Sequence, residues 1–282
     1  MSAAGAAGPR RSRGGATYLL GLILVGVIVA AGLISFAWTP YALSDMAGSR
    51  LEPPSPAHWA GTDRLGRDLF TQLMIGARIA LVVGCGAVAI GGAIGMVTGI
   101  LAAFATRFAD DALAAVFDIL IAFPTLLIAM LVVAAREEAS LGTAILALGI
   151  GLSPIVGRIT RILTKQVLGQ DYITAARVSG TSWGAIVIFH ILPNIVPFLG
   201  VNLALQFGLA VMAEASLSYL GLGAPPPNAS WGRMLQEAQS TVYTAPWGAV
   251  FPGLALFALV IGINLLADGL RDRLGRSGRD AG

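Results

Sequence analysis

The residues of this chain that could do covalent chemistry are few and poorly spaced for it. Lys165 is the only lysine, and it stands between Thr164 and Gln166. A phosphate-binding loop needs Gly-x-x-x-x-Gly-Lys-Ser/Thr, so that backbone N–H groups and the lysine ammonium hold the phosphates together. The two histidines, His58 and His190, fall in different polar segments. No His-Glu-x-x-His run accompanies them, so no zinc site is predicted. Gly180-Thr181-Ser182-Trp183-Gly184 has the Gly-x-Ser-x-Gly spelling, but no strand is predicted before it, so it does not read as a nucleophile elbow. Gly221-Leu222-Gly223 is too short for a dinucleotide fingerprint. The single cysteine, Cys85, lies in an apolar run, which excludes a disulfide framework or a thiolate metal cluster. The chain is therefore expected to hold no catalytic residue, no metal and no cofactor, and nothing in it points to nucleic acid.

Two other groups of residues stand out. The first is polar residues inside apolar runs: Asp118; Asn202 and Gln206, four apart; Glu214; and Asn264 and Asp268, again four apart. Ionisable groups at membrane depth are costly and face a bundle interior or water. Asn202, Gln206 and Glu214 could line a polar path, with Glu214 attracting an ammonium group. They could equally be structural, the carboxylates lying at headgroup level and the amides bonding neighbouring helices. The second group is Gln170 to Pro193. Asp171 is placed to cap a short helix over Tyr172–Ser179, with small Ala175 and Ala176 at its centre. Gly180 suits the left-handed position just past a helix end. Thr181 or Ser182 can cap a second helix, which Pro193 is expected to close. A helix, a glycine hinge and a second helix make a rigid knob, and the two alanines let another surface approach closely.

These residues must be positioned by membrane-spanning helices. The chain has 282 residues, 56% hydrophobic and 12% charged, with a mean hydropathy of +0.79. Soluble domains are nearer a quarter charged. Residues 1–17 read as a polar tail. Residues 18–38 form a first span, long enough to cross a bilayer and too long for the apolar core of a signal peptide. Residues 39–78 form an external loop, ending in an amphipathic approach to the membrane. Residues 79–268 hold five more spans, starting near Ile79, Ala112, Leu141, Asn194 and Trp247. Within them lie an internal loop at 161–193 and an external loop at 219–246. Arg107, Asp110 and Asp111 mark an inner turn, and Arg136, Glu137 and Glu138 an outer one. Gly91, Gly95 and Gly99 share one face of the second span, suited to close helix contact. Residues 269–282 read as a second tail.

Charge placement sets the orientation. With both termini inside, the inner side holds Arg10, Arg11, Arg13, Arg107, Arg158, Arg161, Lys165, Arg177, Arg271, Arg273, Arg276 and Arg279, 12 of the 18 basic residues. The outer side holds the other 6: Arg50, Arg64, Arg67, Arg78, Arg136 and Arg233. This bias follows the positive-inside rule.

The 170–193 stretch resembles the loop by which ABC importer permeases dock on their ATPase subunits. That pattern is Glu-Ala-Ala, three residues, Gly, nine residues, Ile-x-Leu-Pro. Ala175, Ala176, Gly180, Leu192 and Pro193 stand at the matching positions, while Thr174 replaces the glutamate and His190 the isoleucine. Two further stretches resemble the C-type permeases of the dipeptide, oligopeptide and nickel importers. One is His58-Trp-Ala-Gly-Thr-Asp-Arg-Leu-Gly-Arg-Asp68 with Gly76-Ala-Arg-Ile-Ala-Leu81. The other is Glu214-Ala-Ser-Leu-Ser-Tyr-Leu-Gly-Leu-Gly223 with Pro225-Pro226 and Ser230-Trp-Gly-Arg-Met-Leu235.

The resemblance implies an all-α polytopic membrane protein with six transmembrane helices, in the type I ABC importer (MetI-like) permease fold. It implies that Asp171, Thr174, Ala175, Ala176, Arg177, Gly180, Leu192 and Pro193 form the ATPase-coupling loop. ATP and magnesium would then be bound by two separate ATPase subunits. A B-type permease would supply the other half of the path, and an extracytoplasmic binding protein would deliver substrate. The implied location is the bacterial inner membrane, among its lipids. Di- or oligopeptides are the favoured cargo, since few side chains here could coordinate bare nickel. Nickel chelates and glutathione-type compounds are the alternatives. An ion-coupled secondary transporter is a weaker reading, because no internal repeat is visible. A membrane-embedded enzyme lacks its nucleophile.

Overall fold

A peptide group in hydrocarbon has no water to bond, so apolar runs of this length satisfy their backbones within helices. The computed structural model describes residues 13–135, 140–223, 225 and 228–280, and the regular structure among them is helical. Arg10, Arg11, Arg136, Glu137, Glu138 and Pro226 lie outside the described residues. The long helices are α1 (Arg13–Ile34), α2 (Leu69–Phe104), α5 (Leu141–Leu168), α8 (Leu192–Tyr219) and α10 (Trp247–Asp280). Between them lie α3 (Arg107–Ala122), α4 (Thr125–Ala135), α6 (Asp171–Val178), α7 (Trp183–Ile186) and α9 (Trp231–Ala238). Five stretches are long and apolar enough to cross a membrane. The pair α3 and α4 makes up to six if it counts as one span.

That pair departs from the single span expected over 112–135. Its two arms meet at an angle of 88°. The cause is Pro124, whose ring disfavours helical backbone at the residue before it. Phe123 is accordingly extended, at φ −82° and ψ 131°.

The expected glycine face of α2 is where α5 packs. A β-carbon on Gly91 would stand 2.7 Å from the carbonyl oxygen of Gly149, and one on Gly95 would stand 2.6 Å from that of Ser153. Gly99 meets Gly157 in the same way. Both rows step by four residues, so backbone lies on backbone along the seam. The first span is held similarly. Gly21 of α1 lies against the carbonyl oxygen of Gly262 in α10, and Gly32 against Leu81 and Arg78 of α2.

Several helix ends differ from the sequence reading. α2 starts at Leu69, inside the stretch read as external loop, because Asp68 caps it: its Oδ2 accepts the Thr71 N–H at 2.7 Å. α5 runs on to Leu168, so the inner segment at 161–193 begins as continued helix. α10 continues through residues read as a tail. Pro193 does not close a helix. Trp183 to Tyr219 is one apolar helical stretch of 37 residues, in which Val187–Ile191 form a π turn. The turn shifts bonding to i→i−5, with Leu192 donating to Val187. Pro193 then sits in the first turn of α8, where its missing N–H costs least.

Candidate functional site

The knob is built on α6 at one end of the bundle. Ile173 is its anchor, buried in a cluster with Val156, Ile186, Ile191, Ile195 and Leu199. The opposite face of α6 is open: Asp171, Tyr172, Thr174, Ala175 and Arg177 are exposed, and Ala176 is half-buried. Gly180 takes φ +87°, the left-handed conformation expected of it. Its N–H donates to Arg177 O, and the Thr181 N–H donates to Ala176 O, each at 3.0 Å. This pair of bonds is the Schellman closure of a helix C-terminus. Ser182 caps α7 by accepting the Ala185 N–H. Asp171 does not cap as expected. Gln170 occupies the cap position with no side-chain bond, and Asp171 sits in the first helical turn, where its charge favours the helix N-terminus.

The two limbs of the knob are tied together. Arg177 donates to Thr181 O at 3.0 Å and stacks over the Trp183 ring at 4.1 Å. Trp183 in turn packs edge-on against Phe104 at the last turn of α2, 5.2 Å between centroids. The knob therefore rests on the far end of the glycine-packed helix. His190, which stands where the docking pattern has isoleucine, faces Tyr172 at 6.1 Å, and Asn194 bonds to both residues. Leu192 is half-buried in the anchor cluster, and Pro193 is exposed.

Close to the knob lies an ionic clamp that sequence spacing did not suggest. Asp110, buried on α3, accepts from Arg161 Nε at 2.5 Å and Nη2 at 2.8 Å, and pairs also with Lys165. Further along the same two helices, Asp118 pairs with Arg158 at 3.1 Å, both side chains exposed. Asp110 and Arg161 are 51 residues apart, so no local pattern links them. The clamp fixes α3 to the part of α5 that runs directly into α6.

The polar residues of α8 separate into two settings. Gln206 is 4% exposed, and its Oε1 is buried without a hydrogen-bond partner, as is Oδ1 of Asn202. Glu214 is 2% exposed and accepts from Ser218 Oγ at 2.6 Å. Its carboxylate thus lies inside this chain.

The 58–81 and 214–235 stretches come together at the opposite end of the bundle. Arg67 bonds Asp63 at 2.7 Å and reaches Glu237, beyond α9's Arg233, at 2.8 Å. Arg233 closes the network onto Glu237 at 3.0 Å. Trp231 Nε1 donates to Leu73 O at 3.0 Å, with its ring against Gly76. His58 and Asp68 form a buried pair at 3.0 Å. The loop before α2 and α9 make one polar cap, about 50 Å from the knob, since α2 spans the distance with 36 residues.

Residues 95–279 match the family model described as binding-protein-dependent transport system inner membrane component. The dipeptide transport system permease protein DppC of Alkalihalophilus pseudofirmus is 38% identical over 259 residues, 90% of this chain and 85% of that protein. The glutathione transport system permease protein GsiD of Pectobacterium atrosepticum is 40% identical over 261 residues, 88% and 86% of the two chains. A putative peptide transport system permease protein of Brucella suis is 37% identical over 260 residues, 92% and 87%.

Proposed function

The chain belongs to the family of binding-protein-dependent transport system inner membrane components, and on that premise we propose that it is the C-type permease of an ATP-driven importer of di- or oligopeptides. It is a multi-pass membrane protein. Its role is mechanical: it walls half of the path, and a B-type permease walls the other half. ATP and magnesium are held by two partner ATPase subunits, and a binding protein outside the membrane presents the cargo. The knob faces the cytoplasm, with both termini.

The observation that carries this reading is the knob itself. It is a short helix closed by a glycine turn, with its small-residue face open and its back anchored by Ile173 on the ends of three long helices. A partner that pushes on α6 pushes on α5 and on the α7–α8 helix together. Asp171, Thr174, Ala175, Ala176 and Arg177 are the contact residues proposed, with Gly180 as the hinge. Leu192 and Pro193 set the return into the bundle. Asn202 and Gln206, whose side-chain oxygens have no partner in this chain, are the candidate polar lining, while the bond from Ser218 to Glu214 favours a structural role for Glu214.

A second cargo is supported by the relative named for glutathione transport. Glutathione is itself a peptide, so both readings place an amide-bearing substrate in the path. The test is uptake of labelled di- to hexapeptides, glutathione and nickel in cells lacking this chain. Loss of peptide uptake is the expected result. Loss of nickel uptake with peptide uptake intact overturns the cargo assignment.

A further inference from the structure

The polar cap holds a second feature that transport does not use. Where α1 ends, the chain turns over the first residues of α2 and borders an open pocket of about 310 Å³. Trp38, Tyr41, Trp59 and Phe70 line it, with Asp68 among them. The rings are held in place. Tyr41 Oη donates to Ala57 O at 2.9 Å, and the Tyr41 N–H donates to Thr71 Oγ1 at 3.3 Å. The Trp59 and Phe70 rings meet edge-on at 5.0 Å. Both oxygens of Asp68 are used within the chain, Oδ1 by His58 and Oδ2 by the Thr71 N–H, so this buried carboxylate caps α2 and the rings are left to receive a ligand. A pocket lined by four aromatic rings attracts an organic cation.

Its position says which cation. Trp38 lies four residues past the end of the α1 span, at Ile34, so the pocket opens at the level of the lipid headgroups. Phe36 and Trp38 are themselves exposed, as in an interfacial aromatic belt. Beneath them is a matching anion-binding group. Arg78 of α2 reaches up to Ser35 O at 3.4 Å, its guanidinium over the Phe36 ring at 4.9 Å. A guanidinium toward the hydrocarbon and an aromatic box toward water repeat the order of charges in a zwitterionic aminophospholipid.

We propose that this pocket binds the ammonium of a phosphatidylethanolamine headgroup, with Arg78 on its phosphate. The orientation given above decides only that the lipid belongs to the outer leaflet; the pocket does not depend on the transported cargo.

The test is native mass spectrometry of the full chain with its co-purifying subunits. The probes are dihexanoyl-phosphatidylethanolamine, dihexanoyl-phosphatidylglycerol and free O-phosphoethanolamine. The expected result is one retained phosphatidylethanolamine, bound about tenfold more tightly than phosphatidylglycerol, as two or more exposed cation–π contacts allow together. Trp59→Ala, at an exposed ring, should cut that preference by roughly three- to tenfold. Arg78→Gln should weaken both lipids alike, and Phe108→Ala, at the other end of the bundle, neither. Equal binding of the two lipids by the parent protein overturns the proposal, as does a preference that survives Trp59→Ala and Trp38→Ala. Competition by O-phosphoethanolamine at the lipid's own concentration assigns the pocket to soluble ammonium compounds, and overturns the lipid.

Discussion

Gly180 shows how narrow a residue's requirement can be. No atom lies within 4 Å of where its β-carbon would stand, so space does not demand glycine. The backbone does: φ +87° is strained for a residue with a β-carbon by about 1 kcal/mol or more. Gly180→Val should therefore distort the Schellman turn and the setting of α6 while leaving membrane insertion intact. Gly180→Asn should be milder, because asparagine tolerates this conformation. Ala176→Trp attacks the same surface by bulk, and Ala3→Trp serves as the control. Co-purification of the ATPase subunits, ATP hydrolysis and peptide uptake are measured on the same proteoliposomes. The Gly180→Val and Ala176→Trp proteins should lose association or show hydrolysis uncoupled from uptake. Parental values for both would remove this loop from the coupling role.

At the scale of elements, α2 and α5 touch through backbone. A β-carbon on Gly95 would lie 2.6 Å from both a carbonyl oxygen and Val156 Cβ, and a carbonyl fixed in a helix has little freedom to move away. Gly95→Val should destabilise the bundle by about 1–3 kcal/mol, the usual cost of overpacking. Gly26→Val in α1 is the matched comparison, since nothing lies within 4 Å of its β-carbon position. The thermal midpoint of the detergent-solubilised protein should fall for the first substitution and hold for the second. An unchanged midpoint for Gly95→Val would mean that the two helices do not approach this closely. The clamp at Asp110 acts on one of these two helices, α5, from another side. It ties α3 to α5 at the point where α5 hands over to α6, so the inner arm of the 88° bend is held to the helix that carries the knob.

Over the whole molecule, the knob and the polar cap lie at opposite ends, and the proposed orientation assigns one to each side of the membrane. Two exposed positions test it. Val178 on the knob is 86% exposed, and Tyr243 beside the cap is 100% exposed. In a Cys85→Ser background, Tyr243→Cys should react with a membrane-impermeant maleimide on intact spheroplasts. Val178→Cys should react only after permeabilisation. The reverse pattern would turn the protein over and place the knob away from ATP.

The sequence by itself determined that long apolar helices form and where their centres lie, because a bilayer demands long apolar stretches, while caps and turns set their ends. It determined the glycine face of α2, since four-residue spacing puts residues on one side of any helix. It also made Gly180 legible, because a helix stop with a left-handed residue is a local event. The family was legible for a related reason: its motifs are short and contiguous. What only the tertiary structure decided involved residues far apart in the chain. The Asp110 clamp joins positions 51 and 55 residues apart, and Arg67 meets Glu237 across 170. Pro193 was misread because its effect depends on the π turn before it, which relieves the clash that would otherwise end a helix. Glu214 could have faced either a path or the chain. Its burial against Ser218 followed from how α8 is rotated within the bundle, and packing sets that rotation, not the order of residues along the helix.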